Sequence, residues 1–401
     1  MKLFKAKIFM FLIAAVLVFF MSNDFGLIDI ENTAIITAIA VDFDGEEYEI
    51  TAQVAVPENA DTQKDNIKAQ ITGKGYTVGA AIKNCGDLTG WFPKLDFCNL
   101  IIIGNEVAQK NVVKILDYFS KTLRIQDSAM VLVSEKKAKD LLTVSTPLDN
   151  ISAFAIQKAV LKNPGFNHDV ADADVKTFIE GYYSDSYSSI MPLVKVVSLE
   201  KGEGVSKEGS GGASQGSSNS SSSGEKTDGT SLFDPSSTAL FLKGVQVGTL
   251  DRDLTLMLNM LTENFDLTTI NVGENDVNGD NSNYLLTVKN CEPSLVLTVN
   301  DSPMLTATVR LYCKISDVNS GNSDHEYSDN KPLPDSVKEL AEKKIKSDVT
   351  ALFEMQKSTG CDFLKLKEKL YRRLNGKYSL FKDSIVSNFD YTINVVVEGQ
   401  K

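Results

Sequence analysis

The pattern of apolar and polar positions begins with an unbroken apolar run over residues 8–21, preceded by Lys2, Lys5 and Lys7 and followed by Ser22, Asn23 and Asp24. Such a run is short for a membrane-spanning helix, which needs about 20 residues, and matches the hydrophobic region of a secretory leader. It ends in Phe19, Phe20 and Met21 with no small pair for cleavage. That favours an uncleaved anchor over residues 1–23, extended by residues 3–6 and 25–28, with a cleaved leader as the alternative. Lysines before the run and Asp24, Asp29 and Glu31 after it place the rest of the chain on the exported face.

Beyond the anchor, residues 34–41 are apolar on both faces, and Tyr48, Ile50, Ala52, Val54 and Val56 alternate with polar residues. This predicts a central strand and a half-exposed neighbour, joined through the Asp44-Gly45 step of a tight hairpin. Short strands are expected at 100–103 and 129–133, and helices at about 76–83, 107–119, 136–142 and 151–160. Residues 240–250 predict a hairpin leading into a helix at about 251–261. Three apolar runs, 284–288, 295–299 and 305–315, predict an antiparallel meander. Asp335 is the expected N-cap of a long amphipathic helix with Val337, Leu340, Ala341, Ile345, Val349, Leu352 and Phe353 on one stripe, and a second helix is expected over 363–374. Phe389 to Val397 alternate as a last strand. The predicted class is α+β, with several mixed α/β subdomains and a C-terminal antiparallel sheet covered by a helix pair.

Residues 202–230 are almost devoid of apolar side chains (GEGVSKEGSGGASQGSSNSSSSGEKTDGT) and predict a flexible Gly/Ser-rich linker. It divides the exported part into an N-terminal α/β region of one or two subdomains, residues 24–201, and a C-terminal α+β domain, residues 231–401. The 401-residue length suits two or three such domains. A formal net charge of -12 argues against nucleic acid as a partner. Only two histidines, His168 and His325, leave His-based metal cages and nucleophile relays short of parts. The five cysteines, Cys85, Cys98, Cys291, Cys313 and Cys361, contain no C-x-x-C pair and encode neither a zinc site nor a disulfide framework.

Each short motif along the chain has a plainer reading. Gly212-Ala213-Ser214-Gln215-Gly216 matches G-x-S-x-G but lies in the linker, not on a strand-to-helix turn. The glycines of Gly73-Lys74-Gly75-Tyr76-Thr77-Val78-Gly79 lack the phosphate-loop spacing and read as a turn before a helix. Asp276-Val277-Asn278-Gly279-Asp280 starts like a calcium loop, yet Asn281 and Thr287 stand where glycine and glutamate are needed. His168 meets Asp169, Asp172 and Asp174 after the turn Asn163-Pro164-Gly165, and reads as a solvated acidic segment lacking a nucleophile. Cys291 and Cys313 fall on neighbouring strands, as two buried thiols or an outward-facing bridge. The 337–353 stripe reads as a core-facing helix before a partner groove. No catalytic, cofactor-binding or metal residue is assigned, which points to binding or scaffolding.

The order of segments resembles the C-subunit family of spore germinant receptors, the Ger(x)C proteins. The resemblance is carried by IENTAIITAIAVD at 30–42, LIIIGNEVA at 100–108, TALFLKGVQVGTL at 238–250, and the block 337–399 with Cys361-Asp362-Phe363, Tyr371-Arg372-Arg373-Leu374 and the closing strand. It implies a non-enzymatic subunit at the outer face of the spore inner membrane, assembled with a membrane-embedded A subunit and a transporter-like B subunit. The germinant itself is then expected not to be bound directly, and no cofactor is implied. Family members are typically lipoproteins; here residues 21–24 hold no lipid-accepting cysteine, so the 8–21 helix takes over as anchor. The family's histidine before the strand at Leu100 and tryptophan near 379–381 are also missing, Phe97-Cys98-Asn99 standing at the first. The alternative is a general cell-surface protein binding solute or wall.

Overall fold

The computed structural model describes residues 2–22, 33–55, 70–123, 125–144, 146, 149, 151–161, 168–199, 230–263, 267–275, 281–319 and 332–399. The N-terminal apolar run forms α1 (Lys2–Ser22), 21 residues long. Its large apolar side chains from Ile8 to Val18 are exposed on every side, Phe11 by 78%. Among the described residues no helix is long and apolar enough to cross a membrane.

The hairpin of β1 (Thr33–Phe43) and β2 (Tyr48–Val54) is antiparallel as expected, with Val41 opposite Ile50. Its turn is closed by Asp44, whose Oδ1 accepts from Glu46 and Glu47 N–H, and by Gly45 at φ 105°. Next come β3 (Gln70–Gly75), α2 (Val78–Thr89), β4 (Phe92–Lys94), β5 (Leu100–Ile103), α3 (Asn105–Ala108) and α4 (Val113–Leu123). Then follow β6 (Met130–Ser134), α5 (Ala138–Thr143), α6 (Ser152–Val160), α7 (Val175–Tyr183), β7 (Ser188–Leu199), β8 (Thr230–Leu242) and β9 (Val245–Leu250).

These strands form one sheet in the order β3-β2-β1-β5-β6-β7-β8-β9, with β4 added beside the start of β1. β1, β5, β6 and β7 run parallel. Both faces of this central part are covered, which is why β5 reads as an uninterrupted LIII. Ile101 and Ile103 point into a core with α2, α3, α4 and α7, and Leu100 and Ile102 into a second core with α5 and α6. Each such fully buried side chain contributes about 1.5–3 kcal/mol relative to exposure.

Three expectations change here. β2 is buried on both faces, because α5 and α6 cover its polar side and satisfy it: Gln53 Oε1 accepts from Ala153 N–H at 3.0 Å, and Glu49 Oε1 lies 3.0 Å from Lys139 Nζ. The helix expected over 107–119 is broken at Asn111, whose Oδ1 accepts from Val113 N–H while Val112 N–H donates to Gly244 O. The Gly/Ser-rich stretch lies between two strands of one ladder, since β8 pairs with β7 from Ser188↔Leu242 to Leu199↔Thr230. Residues 230–250 therefore complete the first sheet. Residues 202–229, with the G-x-S-x-G match, lie outside the described residues, as do residues 23–31 and Asn163-Pro164-Gly165.

The second sheet has the order β10-β11-β12-β13, from β10 (Thr268–Asn275), β11 (Asn281–Val299), β12 (Pro303–Asn319) and β13 (Asp390–Gly399). The first three form an antiparallel meander and β13 joins parallel to β12. The meander has one turn fewer than the three apolar runs predict: 284–288 and 295–299 are one 19-residue strand. β10 pairs only as far as Val288, so Pro293 sits where β11 has a partner on one side only, the setting in which strands tolerate proline.

This sheet is covered by α8 (Arg252–Thr262), with Asp251 Oδ1 capping Leu254 N–H, and by α9 (Asp335–Thr359) packed beside it. Lys344 of α9 bridges the two helices, reaching Asp253 at 2.7 Å and Asp348 at 3.0 Å. The stripe Val337, Ala341, Ile345, Val349, Leu352 and Phe353 faces the core as expected. Asp335 is the first helical residue and not the cap; Pro334 holds that position, and the Asp335 carboxylate pairs with Lys338. The second expected helix begins later, as α10 (Leu366–Arg373), followed by α11 (Asn375–Phe381). Leu240 and Leu250 of the first sheet belong to the core under this second sheet.

Candidate functional site

The glycines at 73 and 75 lie in β3, packed against α2. A Cβ on Gly73 would sit 2.3 Å from Ala81 O and 2.7 Å from Cys85 N, so the glycine serves close strand–helix approach and no phosphate cradle forms. The acidic cluster after His168 is divided among structural tasks. Asp174 caps α7 through Thr177 N–H at 2.6 Å, and Asp169 pairs with Arg252 Nε at 2.5 Å. The His168 and Val170 carbonyls accept from Asn259 Nδ2 at 2.6 and 3.0 Å. Among the described residues no group of His, Cys, Asp or Glu could hold a metal ion. Asp276–Asp280 lie outside them.

All five cysteines are free and buried. Burial pushes the Cys85 thiol up to about 11 and those of Cys98, Cys291, Cys313 and Cys361 up to about 12. At neutral pH they are protonated and poor nucleophiles.

Two buried carboxylates stand out that the sequence pattern did not single out. Asp42, at the carboxyl end of β1, accepts from the backbone N–H of Ala138 at 2.7 Å and of Lys139 at 2.9 Å. It caps α5, whose own N-cap Lys137 offers no side-chain acceptor. Asp362 accepts from Leu366 N–H at 2.7 Å and Lys367 N–H at 3.0 Å, capping α10. Burial raises both carboxyls above their ordinary range, against the opposing pull of these N–H donors. Asp362 precedes its helix by four residues, outside the N-cap position that Lys365 holds, and nothing local in the sequence marks Asp42 as the cap of a helix 96 residues on.

The remaining polar chemistry gathers where the two sheets' layers meet. Asp362 N–H donates to Ser188 Oγ at 2.9 Å, and Cys361 Sγ–H to Phe241 O at 3.3 Å. Tyr378 Oη–H donates to Asp185, and Lys367 Nζ to Asp185 O at 3.1 Å. With Arg252–Asp169 and Asn259–His168, these bonds join the units at separated points. Between them lies a cleft of about 410 Å³ lined by Asn105, Glu135, Lys195, Gln246, Asp251 and Met355 among others. Asn105 and Glu135 follow β5 and β6, so the cleft opens at the carboxyl ends of the parallel strands, the usual ligand position in open α/β sheets. Its charges are already engaged: Glu135 lies 3.7 Å from Lys195, and Asp251 caps α8.

Two family models cover most of the chain: the spore germination protein N-terminal domain over residues 27–196, and the spore germination B3/GerAC-like C-terminal domain over residues 236–398. No curated relative matches the chain by sequence. Among solved structures, the crystal structure of the GerBC protein is similar with a TM-score of 0.52 and 16% identity, covering 90% of this chain and 97% of that one. That likeness shows a shared fold over nearly the full length of both. The two matched models, in order on either side of the Gly/Ser-rich stretch, with the GerBC-like arrangement of two sheets, place this chain in the Ger(x)C family of germinant receptor C subunits.

Proposed function

We propose that the chain is a non-enzymatic, membrane-tethered subunit on the exported face of the spore inner membrane. In this reading it acts by contact with the A and B subunits of a nutrient germinant receptor, and the germinant is bound by those partners. The carrying observation is α1, whose apolar side chains from Ile8 to Val18 are exposed on every side and belong to no core cluster among the described residues. A helix apolar all round is stable only when covered, and lipid covers it without a specific partner surface. Its 14 apolar residues rise only about 21 Å, short of a hydrocarbon core of about 30 Å. Snorkelling of Lys7 to the headgroups adds depth at one end.

A contact role is supported by the state of the reactive groups. Protonated buried thiols and capping carboxylates make a rigid body and leave the surface to carry the function. Leu12→Arg combined with Val16→Arg should release the protein from the spore membrane fraction. It should also abolish nutrient-triggered germination while leaving chemically triggered germination intact. A normal nutrient response in a gene deletion with no paralogue expressed would overturn the reading.

A further inference from the structure

An apolar patch lies where the folded body begins. Leu88 near the end of α2, Trp91, Phe92 of β4 and Phe97 in the following turn are 69%, 49%, 51% and 53% exposed. Ile35, 38% exposed, stands opposite Lys94 on the neighbouring strand, as Thr33 stands opposite Phe92. Four large exposed apolar residues within ten positions exceed the scattered apolar surface that folded proteins tolerate without a partner.

Resting on the membrane-tethered reading above, we propose that this patch is a second membrane contact, with Trp91, Phe92 and Phe97 inserted into the headgroup–acyl boundary of the bilayer that holds α1. The argument is first one of reach. α1 ends at Ser22 and β1 begins at Thr33, directly paired with Phe92. The ten intervening residues span at most about 3.3–3.6 Å each, on the order of 35 Å fully extended. The start of β1 and the adjoining β4 are therefore held within that distance of the end of α1. The second argument is chemical. Tryptophan is favoured at membrane interfaces, since its indole N–H finds a polar partner while the ring leaves water, and phenylalanine supplies apolar surface to bury beside it. Lys94, two residues after Phe92, is half exposed and balanced by Asp96 at 3.6 Å. Two contacts, helix and patch, fix the orientation of the body on the membrane, which one tether cannot do.

Trp91 is the chain's sole tryptophan, so its fluorescence reports on this patch alone. The full chain is reconstituted into phosphatidylcholine–phosphatidylglycerol vesicles, with flotation reading the tether and Trp91 reading the patch. The expected result is flotation, a blue-shifted Trp91 emission, quenching by brominated acyl chains, and loss of quenching by aqueous iodide. Leu88→Glu with Phe97→Glu, checked for native circular dichroism, should still float but lose the blue shift and the lipid quenching. A chain that floats while Trp91 remains open to iodide and untouched by brominated lipid overturns the proposal and leaves the patch to a protein partner. Lipid quenching undiminished in the double variant overturns it as well. A chain that fails to float overturns the tether, and the patch proposal with it.

Discussion

Asp42 and Ala138 stand 96 residues apart in sequence and 2.7 Å apart in space, the carboxylate at the end of β1 taking the backbone N–H that opens α5. The bond ties the central strand to a helix on the opposite side of a crossover, and Gly104 leaves room for it: a Cβ there would lie 2.2 Å from Asp42 Oδ1. Asp42→Ala strips Ala138 and Lys139 N–H of their acceptor in a buried place, so it should destabilise the fold by about 2–3 kcal/mol in urea denaturation.

The same variant tests the pH dependence. Burial, the largest influence, raises the Asp42 carboxyl above its ordinary 3.8, with Glu49 and Asp140 adding to it and the two N–H donors opposing. The folded state thus binds this proton more tightly than the unfolded chain. The associated stability is fully present below 3.8 and is lost as pH rises through the raised folded value. Alanine does not titrate, so the stability gap between wild type and Asp42→Ala should widen from neutral pH toward about pH 4. A gap that narrows on acidification contradicts the raised carboxyl.

The junction between the two units rests on buried bonds more than on its surface ion pair. Asn259 is 3% exposed and holds two backbone carbonyls, whereas the Arg252 side chain opposite Asp169 is 71% exposed. Asn259→Ala should therefore cost about 1–3 kcal/mol, and Arg252→Ala at most about 1 kcal/mol. Asp362→Ala, which uncaps α10, should also raise hydrogen exchange at Leu366 and Lys367. Equal losses for Asn259→Ala and Arg252→Ala in parallel denaturation curves would refute this ranking.

Cysteine reactivity provides a further measurement. With the thiols of Cys98, Cys291, Cys313 and Cys361 near 12 and that of Cys85 near 11, all buried, iodoacetamide at neutral pH should leave the native protein unmodified. Denaturant should expose five reactive thiols, read by mass. A native adduct, or fewer than five thiols on unfolding, would show an open or oxidised site.

What the sequence revealed, and what it hid, follows from how local each determinant is. β5 was legible to the residue because both its faces are buried and Gly104 follows it; the hairpin at Gly45 and the alternation of β13 were equally local. β10, with the polar sequence TTINVGEN, gave no apolar run, since it borrows its regularity from β11. The junction was invisible for a different reason. Ser188 and Asp362 are 174 residues apart, and neither has a neighbour in sequence that marks it as a contact. The aromatic patch could have been seen, as Leu88, Trp91, Phe92 and Phe97 fall within ten residues; only the structure shows that they face outward.

The glycines of β3 give the last prediction, because they separate a phosphate-loop reading from a packing one. A phosphate loop tolerates no side chain since its backbone must reach a ligand, and its loss would affect binding. Gly73 instead lies against the backbone of α2, where an added Cβ meets Ala81 O at 2.3 Å and both Cys85 N and Cys85 Sγ at 2.7 Å. Two of these three atoms belong to helix backbone and cannot swing aside, so the helix must move off the sheet. Gly73→Ala should cost about 1–3 kcal/mol or more and expose the Cys85 thiol to alkylation, whereas Gly376→Ala, whose Cβ meets nothing within 4 Å, should change neither. Native stability in Gly73→Ala would mean that α2 does not pack on β3 as closely as these distances state.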